Sequence, residues 1–361
     1  MTTLRFSGPV LSGAGEEHRD LYVVDGRITF EPQPGAETIA TGWIVPGLVD
    51  AHNHLGLEDG GAISEEETLA QALADRDSGA LLLRDCGSPT DTRWVQERED
   101  LPRLIRAGRH LARTRRYIRN FAHEVEPEQL PAYVAQEARN GDGWVKLVGD
   151  WISRDTGDLE PSFPVETFAA AIDAAHAEGA KVTAHCFGRD VLQGLLDAGI
   201  DCLEHGTGLS VDQVEQMARQ GVALVPTVQQ TGKFPEFASA GREKFPAYAA
   251  TMDSLAAHRR EAVMSAHEAG VALFVGSDGG GTGRHGYLWE EARAMHEMGI
   301  PAADVLAAAT WRGREWLGFA GLEEGAEADL VVLDRDPRAD LSVLAEPTCV
   351  VLRGQVVGGP A

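Results

Sequence analysis

Six side chains spread through the middle of the chain are of the types that hold metal ions. His52 and His54 bracket one asparagine in "LVDAHNHLG", His185 closes "KVTAHC", His205 ends the run "IDCLEH", and Asp278 closes "VALFVGSD". Residues two apart on a strand project to the same face, so His52 and His54 can grip one cation together. Alone, such a pair is equally explained by two packed histidines. The metal reading gains weight because five ligand-type residues end four separate apolar runs. The sixth member, Lys146 in "WVKLVGD", lies among Trp144, Val145, Leu147 and Val148. Poor solvation there is expected to lower the lysine pKa. A neutral amine adds carbon dioxide to give a carbamate, and that carboxylate could bridge two cations. A lysine that snorkels, or pairs with an acid such as Asp150, is the alternative.

These residues need elements that bring strand ends together. Eight short apolar runs fall in the middle of the chain: "LVDAHNH", "GALLLRDCG", "RHLAR", "WVKLVG", "KVTAHC", "IDCLEHG", "VALVPT" and "VALFVGSD". Helical patterns separate many of them, such as "VETFAAAIDAAHAEG" with its terminating Gly179. Eight strands with intervening helices predict an α/β fold, a (β/α)8 TIM barrel whose catalytic residues gather at the C-terminal ends of the strands. A doubly wound open sheet is the competing architecture, but no GxGxxG follows the first strand. Residues 1–47 and the tail from 322 instead alternate short strands with turns, including the Asp25-Gly26 hairpin signal. They predict a composite small β-sandwich domain, 1–47 with 322–361, flanking a metal-binding barrel over 48–321.

Composition narrows the function. Lys and Arg total 32 against 56 Asp and Glu, a formal net charge of −24. Such a surface repels phosphate backbones and anionic headgroups, which argues against nucleic-acid and membrane partners and leaves a small-molecule substrate. Cys86, Cys186, Cys202 and Cys349 show no CxxC spacing and sit in apolar runs, as expected of reduced, buried thiols in a cytoplasmic protein. The segment "MTTLRFSGPVLSGAGEEHRD" lacks the charged and apolar regions of a secretion signal.

In "VPGLVDAHNH", "WVKLVGD", "KVTAHCFG", "CLEHGTG", "VGSDGG", "LAAATWRGREWLG" and "EEGAEADLVVLD" the chain resembles the metal-dependent amidohydrolase superfamily, in its imidazolonepropionase-like and prolidase-like (Xaa-Pro dipeptidase-like) branch. The resemblance implies that His52, His54 and Asp278 hold a buried ion, that His185 and His205 hold a second, and that carboxylated Lys146 bridges them. Lys146 favours a binuclear centre, since the family's mononuclear deaminases and imidazolonepropionases generally lack it. Zinc suits these ligands, with manganese, iron or cobalt as alternatives. The implied reaction is cleavage of a C–N amide bond in an N-acyl amino acid, dipeptide or related carboxylated amide. A metal-bridging hydroxide attacks the carbonyl, and Asp278 carries the proton to the leaving nitrogen. A deaminase or a lactone or phosphotriester hydrolase is chemically accessible on the same residues, and a non-enzymatic binding protein of the same fold is the remaining reading. A homo-oligomer stays open, because the family is often dimeric or larger.

Substrate contacts are expected from the loops after the strands. In "RTRRYIRNFAHE", Arg115 or a neighbouring arginine could hold a carboxylate and Tyr117 a carbonyl oxygen, against the alternatives of a basic loop balancing nearby acids and a packed aromatic. His285 and Trp151 are further candidates for the cavity wall. Glu204 is expected to point away from the site, on the opposite face to His205. His110 is expected in a solvated or packed position.

Overall fold

The computed structural model describes residues 3–13 and 18–359. Its middle region is built on parallel strands. One set comprises Gly279–Gly281, Leu48–Glu58, Ala80–Asp85 and Arg103–Arg106, in that spatial order. The other runs His123–Val125, Leu111–Arg113, Trp144–Val148, Lys181–Cys186, Cys202–His205, Ala223–Val225. From Trp144 onward, each strand lies beside the next in sequence, and the helices Val165–Ala177, Leu192–Asp197 and Val211–Gln220 make the returns. Such returns are what parallel pairing requires.

Seven of the eight expected runs contain a strand. "VALFVGSD" forms no regular strand, but it joins the two sets by hydrogen bonds. Leu224 N donates to Ala272 O at 2.9 Å, Phe274 N to Leu224 O at 3.1 Å, and Ala51 N to Val275 O at 2.8 Å. On the other side, residues 103–113 belong to the first set by their first half and to the second by their last. The expected run "RHLAR" thus begins too late. Arg103 and Arg106 hid the earlier half, since each carries its charge to a partner acid at the margin, Asp329 and Asp142 respectively.

Two layers of apolar packing enclose these strands. Val49, Ala51, Leu82, Trp144 and Cys202, from four strands, pack together with Phe274 between them. Arg84 is fully buried beside this group, with its guanidinium 4.6 Å from the Trp144 ring and 5.1 Å from that of Trp316. Facing the helices, alternate residues such as Val145, Leu147, Val182, Ala184 and Leu203 meet Phe168, Ile172 and Leu195. The capping box of Ser210 and Gln213 starts the helix Val211–Gln220, and left-handed Gly221 ends it at φ 73°.

The two ends of the chain share one eight-stranded sheet, in which Trp43–Pro46 pairs antiparallel with Leu330–Leu333. The sheet curls over a common core, so that Phe6 and Ile28 join the same cluster as Val332 and Val351. Residues 1–2, 14–17 and 360–361, parts of the expected end module, lie outside the described residues. Arg103 ties the sheet to the middle region through Glu327 at 2.7 Å and Asp329 at 2.5 Å. Among the described residues, no helix is long and apolar enough to cross a membrane. All four cysteines are free and buried.

Candidate functional site

Alternation along the strands carries one row of side chains inward from the buried Trp144 and Cys202. Lys146 follows Trp144 by two residues, and Glu204 follows Cys202 by two. Thr183 and His185 form a similar pair, with Thr183 Oγ1 donating to Glu204 Oε1 at 2.8 Å. Glu204 therefore faces into the site, which corrects the expectation that it points away. The sequence signal was its spacing from Cys202. His205 should then face outward, but its φ of 67° turns the chain and returns the ring to the interior. Its Nε2 stands 3.0 Å from His185 Nδ1. Thr227 and Asp278 are also left-handed, at 42° and 53°. Non-glycine residues held there cost roughly 1–3 kcal/mol each, and such strain gathers at functional sites.

His52 and His54, two apart on their strand, reach the same place, beside a slip in its pairing with Ala80–Asp85 between Asp50 and Asn53. Their Nε2 atoms are 3.1 Å apart, and they lie 3.1 and 3.3 Å from Asp278 Oδ1. The ligand atoms of His52, His54 and Asp278 all fall within 4.8 Å of one another, a grouping that fits a metal ion. His54 Nδ1 donates to Gly87 O at 2.8 Å, which leaves Nε2 as the atom with a free lone pair. His205 Nδ1 shares a hydrogen bond with Thr227 Oγ1 at 2.5 Å.

The electrostatics suit cation binding. Burial lowers the pKa of His52, pushes His205 down to about 3 and takes His185 well below its ordinary value. Neutral imidazoles donate lone pairs to metals. Burial raises the Asp278 carboxyl, but the facing His52 ring outweighs it and holds the group well below the usual carboxylate range. Buried His185 Nε2 has no hydrogen-bond partner, as expected where a donor awaits a ligand the protein does not itself supply.

Lys146 does not have the environment expected of a neutral amine. Burial lowers its pKa, but Lys146 Nζ donates to Glu204 Oε2, and that carboxylate raises the pKa above its ordinary value. Lys146 pairs with an acid, as the alternative held, but the acid is Glu204 and not Asp150. Asp150 is engaged elsewhere, accepting from the backbone of Phe187 at 3.1 Å and Gly188 at 2.5 Å.

Above these groups opens a cavity of about 440 Å³, which includes His52, His54, Lys146, His185, His205 and Asp278 in its lining. Tyr117 and Trp151 form part of its wall, with ring centroids 4.8 Å apart. Arg115 and His285 do not line it. Arg115 is exposed in a left-handed turn at φ 62°. His285 is drawn behind the wall, where its Nδ1 bonds Asp75 Oδ2 at 2.8 Å. Arg116 has a structural part, donating at 3.1–3.2 Å to the carbonyls of Trp151, Glu160 and Pro161. It fixes the hairpin that carries Trp151.

His110 was missed by sequence reasoning. It is fully buried in the cavity lining, 4.9 Å from the His54 ring in a stacked pair, and neither ring nitrogen has a partner. Its place just before the apolar residues of "RHLAR" was the available signal. Phe187, Phe237 and Tyr248 were also missed, because two of them come from helices far from any metal-type motif.

The amidohydrolase family model matches residues 43–357. An uncharacterized protein of Mycobacterium tuberculosis is 54% identical over 340 residues, covering 94% of this chain and 92% of that one. Ochratoxinase of Aspergillus niger is 24% identical over 413 residues, covering 96% of this chain and 84% of its own. Among solved structures, a Xaa-Pro dipeptidase with methionine bound in its active site superposes with a TM-score of 0.82 at 22% identity, over 98% of this chain and 99% of that one.

Proposed function

The chain belongs to the amidohydrolase family, and from that membership we propose that it is a metal-dependent hydrolase cleaving the C–N amide bond of a small substrate. The observation that carries the reading is the convergence of His52, His54 and Asp278 at one point of the cavity. In this reading, the hydrogen-bonded strands of residues 48–321 are one (β/α)8 barrel, and 1–47 with 322–361 form the composite β-sandwich domain.

His52, His54 and Asp278 would hold one divalent ion and His185 and His205 a second, with zinc matching the imidazole and carboxylate donors. Lys146, as a carbamate, would lie between them. A carbamate would add a negative charge to Glu204 and Asp278, with Arg84 as the buried cation beside Glu204. Two cations supply the compensation such a cluster requires. Bound divalent ions polarise a carbonyl and acidify a water.

The chain's own groups complete the reaction. Asp278 accepts the proton of the attacking water on a carboxylate oxygen as the C–O bond forms. It then delivers that proton to the amide nitrogen as the C–N bond breaks. Tyr117, whose phenol burial keeps protonated, donates to the carbonyl oxygen. His110 and Trp151 close the wall around the scissile group. The name Xaa-Pro dipeptidase describes cleavage of a bond of this kind, transferred here as a proposal.

The test is metal analysis with a turnover screen of N-acyl amino acids and dipeptides. We expect two divalent ions per chain, hydrolysis lost on chelation, and recovery with zinc and bicarbonate. Fully metallated protein that cleaves none of these amides would refute the reading.

A further inference from the structure

We propose that Lys244 recognises a free carboxylate on the substrate, so that the cavity selects N-acyl amino acids carrying an aromatic group. The inference deepens the hydrolase reading above and rests on it for the identity of the scissile bond. Lys146, Lys244 and Asp278 are the Asp, Glu, Lys and Arg side chains in the cavity lining. Asp278 is taken up by His52 and His54, and Lys146 by Glu204. Lys244 forms no ion pair with any described residue. Its Nζ instead lies 5.0 Å from the centroid of the Phe245 ring. Lys244 is exposed at the rim of this cavity, where its ammonium stays available to an anionic ligand. A ligand that covers the ammonium displaces its water and strengthens its attraction for an anion.

The local structure holds Lys244 in place. It sits in the turn between the helices Phe234–Gly241 and Pro246–Glu268. Lys244 N and Phe245 N both donate to Gly241 O, at 3.1 and 2.7 Å, and Tyr248 N donates to Gly157 O at 3.0 Å. Phe245 from this turn and Tyr248 from the start of the next helix line the cavity together with Tyr117 and Phe121. The rings supply apolar area for an aromatic group, with Lys244 as the cation beside them. A carboxylate of an N-acyl amino acid lies two bonds from the scissile nitrogen, and the four-carbon stem of lysine gives the ammonium reach and freedom to meet it.

The test compares N-benzoyl-L-phenylalanine with N-benzoyl-L-phenylalaninamide, which differ in the anionic group. Binding of each is measured by calorimetry on EDTA-treated protein, and kcat and KM on the zinc-loaded enzyme. Wild type is expected to bind the acid at least tenfold more tightly than the carboxamide. Lys244→Met should abolish that preference, Lys244→Glu should reverse it, and Lys244→Arg should retain it. Turnover should show the same pattern in KM, with little change in kcat. An acid-to-carboxamide ratio equal in wild type and Lys244→Met overturns the inference, as does failure of wild type to bind either compound. Preferential binding of the acid without hydrolysis of either compound would instead tell against the hydrolase reading and leave the role of Lys244 standing.

Discussion

Glu204 and Lys146 form a fully buried ion pair at the foot of the cavity, with Thr183 holding the other carboxylate oxygen and Arg84 at 3.7 Å. The pair keeps the lysine protonated, whereas carbamate formation requires its free amine. Glu204→Gln should therefore raise the fraction of carbamate at a given bicarbonate concentration. Carbon-13 NMR with labelled bicarbonate would measure it, and an unchanged or smaller carbamate signal in the variant would contradict this account.

Asp278 adopts φ 53°, a conformation that asparagine tolerates well. Asp278→Asn should therefore spare the fold while removing the proton carrier. We expect kcat to fall by about 10²–10⁴-fold, in the range of general acid–base contributions, with an unchanged circular dichroism spectrum. An Asp278→Asn enzyme with full metal content and wild-type turnover would exclude the assigned role.

Thr227 fixes the His205 ring through Nδ1. Thr227→Val preserves shape and removes that bond, and outer contacts of this kind are typically worth about 10–100-fold in metal affinity. Titration against a competing chelator should show one of two ions weakened. Equal affinity for both ions in variant and wild type would mean that Thr227 does not position the ligand.

Glu291 is buried, and its carboxylate accepts the backbone N–H groups of Val228 and Gln229. Burial raises its pKa to about 8, from an ordinary value of 4.5. Below 4.5 both folded and unfolded forms are protonated. Between 4.5 and about 8 the unfolded chain loses the proton while the folded chain keeps it, so this group's contribution to stability falls as pH rises, and it levels off above 8. Urea midpoints should decline more steeply from pH 5 to pH 8 in wild type than in Glu291→Gln. Parallel declines would show that Glu291 titrates normally.

Residues with regular strand geometry were legible in the sequence. His52, His54 and His185 stand where their runs end, and Lys146 lies inward as its spacing from Trp144 implies. Glu204 was misplaced because alternation was counted back from His205, the residue whose positive φ breaks it. A single sequence gives little sign of a left-handed histidine. The partner of Lys146 was hidden for the same reason. Arg115 was chosen from a basic loop for its charge, yet its half-buried neighbour Arg116 is the one that holds the structure, through carbonyls far away in sequence. The cavity's aromatic wall is assembled from several loops and helices, each carrying too weak a pattern to be read by itself.

The pairing of Trp43–Pro46 with Leu330–Leu333 also sets an order of events during synthesis. The earlier strand leaves the ribosome long before its partner exists, and non-local pairing of this kind is slow to form. Until then its apolar side chains, Ile44 on one face and Val45 on the other, need another cover or a chaperone. Maturation of the end sheet is thus tied to translation of the last strands, and premature termination there would release a chain with that edge unpaired and prone to aggregate.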